Sequence, residues 1–126
     1  MSYKFFNPNP SGKRVGDCVI RAIAKLTRQD WLTVYWNIAE QGAMLFDMPS
    51  SNNVWAAYLR KLGYRRFAIA DNCPDCYTVK DFCFDNPRGR FLLATGSHVV
   101  TVIDGNYYDA WDSGNENPIY FWTKEF

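Results

Sequence analysis

From Arg90 onward the chain consists of short runs, RFLLATG, HVVTVI, YYDAWD and IYFWTK, each rich in β-branched or aromatic residues. The turn residues DGN and SGNENP separate them. Runs of this length, punctuated in this way, predict an antiparallel meander. What precedes them reads differently. Val19, Ala22, Ile23 and Leu26 recur at helical spacing behind Asp17, which stands as N-cap of a first helix. Asp30 caps a second, Trp31 to Glu40, with Trp31, Val34, Tyr35 and Ile38 on one stripe. Ser50 or Ser51 opens a third, from about Asn52 to Leu62, and Gly63 ends it in a left-handed conformation. QGAMLFDMPSSN reads as a loop, Tyr64 to Ile69 as a strand, and Val79 to Phe84 as a short helix halted by Pro87. Helices first and sheet second give the α+β class: N-terminal helices packed on a C-terminal antiparallel β-sheet.

A chain of 126 residues suits one domain, 1–126, with a core of its own. Basic and acidic residues number 14 and 13, with no block of either sign, which speaks against nucleic acid as a partner. The opening MSYKFFNPNP lacks the apolar run of an export signal, and no stretch approaches the roughly 18 apolar residues of a membrane span. The expectation is a cytoplasmic protein with no membrane partner, whose cysteines, Cys18, Cys73, Cys76 and Cys83, are reduced. No glycine-rich phosphate loop is present, and no cofactor is expected. Cys73 and Cys76 have the C-x₂-C spacing of a zinc knuckle, but structural zinc takes four ligands and a second such pair is missing, so no metal is expected either.

Cys18 directly follows the N-cap Asp17. There it lies at the positive end of a helix dipole, among backbone N–H groups that lack intrahelical partners. That position favours a thiolate, and the same N–H groups suit an oxyanion. His98 is the chain's one histidine and opens the run HVVTVI. A base of this kind is usually oriented by a third group. If the hairpin turn is the three residues Asp104-Gly105-Asn106, Ile103 pairs with Tyr107, and outward counting sets His98 opposite Asp112, with Asp109 on the other face. A two-residue turn would slip that register. Each residue also has a plain structural use: Cys18 under a helix, His98 at a strand end, Asp112 starting a turn.

The strings GDCVIRA, GSHVV and YDAWDSG, taken in that order, resemble the papain-like cysteine peptidase superfamily, and more closely its small bacterial and phage members such as the double-glycine leader peptidases. The likeness runs from about Gly16 to Trp122. It implies a helix opening on a nucleophilic Cys18, a general base His98, an orienting Asp112, and a peptide or protein substrate whose amide bond is cleaved through a thioester. Many members place a Gln shortly before the Cys as an oxyanion donor. Here Gly12 stands six residues before Cys18 and no Gln lies upstream. Of the nearby amides, Asn7 is the candidate in its place, and Asn7 also suits a turn before proline. Two other outcomes stand beside hydrolysis: a degenerate site on the same fold used for protein binding, and acyl transfer to an amine.

Overall fold

The computed structural model describes residues 2–70 and 76–124. Ten elements follow one another: β1 (Tyr3–Phe5), α1 (Cys18–Thr27), α2 (Trp31–Met44), α3 (Asn52–Lys61), β2 (Arg65–Ala68), α4 (Val79–Asp85), β3 (Arg90–Ala94), β4 (Val99–Ile103), β5 (Asn106–Asp109) and β6 (Tyr120–Thr123). The fold is mixed α+β, with four helices and one six-stranded sheet among the described residues.

The sheet runs β1-β5-β4-β3-β6-β2. It departs from the expected antiparallel meander in two ways. β1 lies parallel to β5, so the sheet is mixed. β6 does not continue outward from β5; it pairs with β3 and carries the edge strand β2 on its far side. Tyr3–Phe5 thus supply a strand where the sequence reading expects none.

Alternation along β3 divides its side chains between two cores. Leu92 and Ala94 join residues of α1, α2 and α3, with Trp55 and Trp122 both 1% exposed at the centre. Phe91 and Leu93 face the opposite way, toward Val79 and Phe82 of α4. Helices therefore cover both faces of the sheet. Strands buried on both sides have no polar face to alternate with, which is why β3 and β4 read as nearly continuous apolar runs.

Three contacts fix α1 against the sheet. Thr101 donates its hydroxyl to the Ala22 carbonyl at 2.5 Å. The Arg90 guanidinium reaches the Lys25 and Leu26 carbonyls, satisfying groups that a helix C-terminus leaves open. At the other end Arg21 bonds Asp109 at 2.8 Å. The first turn of α1 is thereby held beside the ends of β4 and β5.

Capping follows the sequence in α2 and α3, where Asp30 accepts from the Thr33 N–H and Ser51 from the Asn53 N–H. Gly63 follows α3 at φ +93°. α2 runs four residues past Glu40, so the start of the expected loop is helical. No helix among the described residues is long and apolar enough to cross a membrane.

Candidate active site

Cys18 is half-buried at the first position of α1. Asp17 precedes it as N-cap, yet its side chain makes no capping bond. Its carboxylate turns away: one oxygen meets Arg21 at 2.5 Å, and the other accepts from the Trp31 indole at 2.8 Å. The expectation that Asp17 caps α1 through its side chain is therefore corrected. An arginine one turn along the helix, at i+4, offers a stronger charge-assisted partner than a backbone N–H. Asp17 consequently does not cover the first-turn N–H groups beside the sulfur.

His98 stands immediately before β4. Its ring faces the same hollow as Cys18, and its Nε2 lies 2.6 Å from Asp109 Oδ2. With Nε2 engaged by the carboxylate, Nδ1 is the nitrogen left for the sulfur. Trp111 lies against the imidazole, with ring centroids 4.8 Å apart.

The carboxylate on His98 is thus Asp109, and the assignment of that place to Asp112 is corrected. The turn is Asp104-Gly105, two residues long, because Ile103 pairs with Asn106 and Val102 with Tyr107. Both turn residues have positive φ, 50° and 78°, as a type I′ hairpin requires. The paired ladder ends at Thr101 and Tyr108; beyond it the regular alternation no longer holds, and Asp109 turns to meet both His98 and Arg21 of α1. Asp112 is exposed and accepts instead from the Tyr107 hydroxyl at 2.5 Å.

Asp109 is fully buried and receives four donors. Arg21 and the Ala110 N–H reach Oδ1, both at 2.8 Å. His98 and the Ser113 hydroxyl reach Oδ2, at 2.6 and 2.7 Å. A continuous polar chain therefore runs from Trp31 through Asp17, Arg21 and Asp109 to His98. Each buried charge in it faces an opposite one, the condition under which burial is tolerated.

The electrostatics follow from these partners. Burial by itself raises the Cys18 thiol; the His98 hydrogen bond and charge, the Val99 N–H and Arg21 outweigh it and hold the thiol below its ordinary value. Burial by itself lowers His98; the hydrogen bonds to Asp109 and Cys18 outweigh it and carry the imidazole up to about 9. Burial also acts to raise Asp109, but bonds from His98 and Ser113 hold it below the usual carboxylate range. The result is a sulfur and a ring that favour the thiolate–imidazolium form. Cys83 is the counter-example within the same chain. It is a free thiol 1% exposed in the α4 core, and burial pushes it up to about 11.

Asn7 does not present its amide to the site. Its Nδ2 donates to the Gly12 and Lys13 carbonyls, both at 3.2 Å, and closes the loop before α1. Cys76 is disulfide-bonded, against the expectation of four reduced thiols; Cys73 lies outside the described residues. Among the described residues no cluster of His, Cys, Asp or Glu is arranged to hold a metal ion.

Arg21, Ser113 and Trp111 are site residues that the sequence reading passes over, and Asp109 is one that it sets on the face away from His98. Two signals for them exist in the sequence: the i, i+4 pairing of Asp17 with Arg21, and the Asp-Gly pair that marks a two-residue hairpin. Two hollows open on Cys18, of about 320 and 350 Å³, one toward α2 and one under Trp111. No protein-family model, no curated protein and no solved structure matches this chain.

Proposed function

We propose that the protein is a cysteine peptidase or amidase of papain-like type, acting through Cys18, His98 and Asp109. The observation that carries this reading is a cysteine at a helix start sharing one hollow with a histidine whose ring is bonded to a buried carboxylate. The Cys18 thiolate attacks a peptide or isopeptide carbonyl; an S–C bond forms and the carbonyl oxygen takes the negative charge. First-turn N–H groups of α1, which the Asp17 side chain does not cap, are the donors suited to that oxyanion. The C–N bond then breaks, and the His98 proton goes to the departing amine. A thioester remains. His98, now neutral, takes a proton from water as its oxygen attacks, and the acid and free thiolate are released. Asp109 keeps one face of the imidazole turned to the sulfur and stabilises its cation. Layout supports the same reading, because the nucleophile's helix precedes a sheet whose strands bring base and carboxylate in order.

The test is iodoacetamide labelling of each cysteine against pH, mapped by mass spectrometry, in the wild type and in His98→Ala. Cys18 is expected to react far below the ordinary thiol pKa of about 8.5, and His98→Ala to abolish that low-pH reactivity, while buried Cys83 stays unlabelled in both. A Cys18 that titrates as an ordinary thiol sinks the catalytic reading and leaves a binding role for the fold. Where the pair is present, release of an amine from peptidyl amides, lost in Cys18→Ala, completes the assignment.

A further inference from the structure

We propose that the hollow between α1 and α2 is the acyl-side subsite of this reaction and takes a large apolar side chain. The proposal rests on the amide-cleaving reading above and gives it a substrate class. Orientation comes from the chemistry. The departing amine must receive its proton from His98, so it leaves on the side where His98 stands. That side is the hollow under Trp111, walled by Val15, Ser97, His98 and Ala110. The second hollow shares Cys18 with the first but lies away from His98. What remains of the substrate, the acyl part, extends into it.

Its walls say what fits. Val19 and Ile20 come from α1, Tyr35, Ile38 and Ala39 from α2, and Pro49 and the small, exposed Ser50 from the following loop. Asp17 also borders it, but its carboxylate already faces Arg21 and Trp31. A charged side chain entering here would lose water and meet no free counter-charge, a cost that an apolar group avoids. At about 320 Å³ the space exceeds what glycine or alanine fills and suits a leucine or an aromatic ring. The chain therefore differs in preference from an enzyme cutting after glycine, although its sequence resembles peptidases of that kind.

The experiment labels the full chain with peptidyl vinyl sulfones carrying Gly, Asp, Lys, Leu or Phe beside the electrophile. Iodoacetamide, which has no side chain, is the reference, and Cys18 adducts are read by intact mass. Relative to iodoacetamide, the Leu and Phe probes are expected to react about tenfold or more faster than the Gly, Asp and Lys probes. Ala39→Trp fills the hollow from α2 and Ser50→Trp fills it from the exposed loop. Each is expected to bring the Phe rate, relative to iodoacetamide, down to that of Gly. Equal rates for all probes, a preference for Asp or Lys, or a Phe preference that survives both substitutions overturns the subsite. A Cys18 slow toward iodoacetamide as well overturns the reading beneath it, so the two failures are distinct.

Discussion

Replacing Asp109 by Asn tests the site at its least exposed point. The chain has a single histidine, so one imidazole Hε1 resonance reports its titration without assignment work. His98 rises from an ordinary 6.5 to about 9. That difference corresponds to about 3 kcal/mol favouring the cation, at about 1.4 kcal/mol for each pKa unit. Two partners supply it against burial, Asp109 first and Cys18 second. Asn keeps a hydrogen-bond acceptor but loses the charge, and a charge-assisted bond exceeds a neutral one by roughly 1–2 kcal/mol. The His98 midpoint is therefore expected to fall by about one unit or more in Asp109→Asn. In Cys18→Ala/Asp109→Asn only burial and a neutral bond remain, and the midpoint falls further, toward or below 6.5. Asp112→Asn leaves the titration unchanged, because that exposed carboxylate accepts from Tyr107. An unmoved midpoint in Asp109→Asn, or a shift of this size in Asp112→Asn, refutes the assigned contact. Far-UV circular dichroism of each variant checks that the fold persists.

Arg21→Met leaves the Asp17 and Asp109 carboxylates buried without their shared cation, and urea unfolding is expected to show a loss of about 3–5 kcal/mol; Arg21→Lys restores little of it, because one ammonium does not offer the two nitrogens that the guanidinium does. Asn7→Ala, removing a loop bond and no oxyanion donor, is expected to change kcat/KM on a peptidyl amide by less than about threefold, against roughly 10²–10³ for a lost oxyanion contact. In Cys18→Ala the raised His98 pKa acts on stability alone: its contribution is present below pH 6.5 and is lost as pH rises through the folded-state pKa. Urea midpoints of that variant should fall across this range by the equivalent of about 1–2 kcal/mol, and Cys18→Ala/His98→Ala should show no such slope.

Much of the site was legible locally. A helix start can be read from neighbouring residues, so Cys18 falls where the apolar periodicity of Val19 to Leu26 begins. His98 stands at the head of a β-branched run, and that too is a property of adjacent residues. Asp30, Ser51 and Gly63 mark helix ends for the same reason, since each acts on backbone groups within a few positions. What could not be read locally was choice of partner. Asp17 has the right residue type for a cap, but the nearness of Arg21 and Trp31 draws its carboxylate elsewhere. The third site residue depended on a turn shorter by one residue than the count assumed, and a one-residue change in register moves every facing pair. β1 joins the sheet only because a strand some hundred residues later exposes its edge, and three residues carry too little pattern to announce that. Residue type and local spacing thus determined which groups have the chemistry and where helices begin. Which carboxylate meets the imidazole, and which hollow opens beside the sulfur, was decided by packing between elements far apart in the chain, where hydrogen-bond geometry and burial choose among partners that the sequence leaves equivalent.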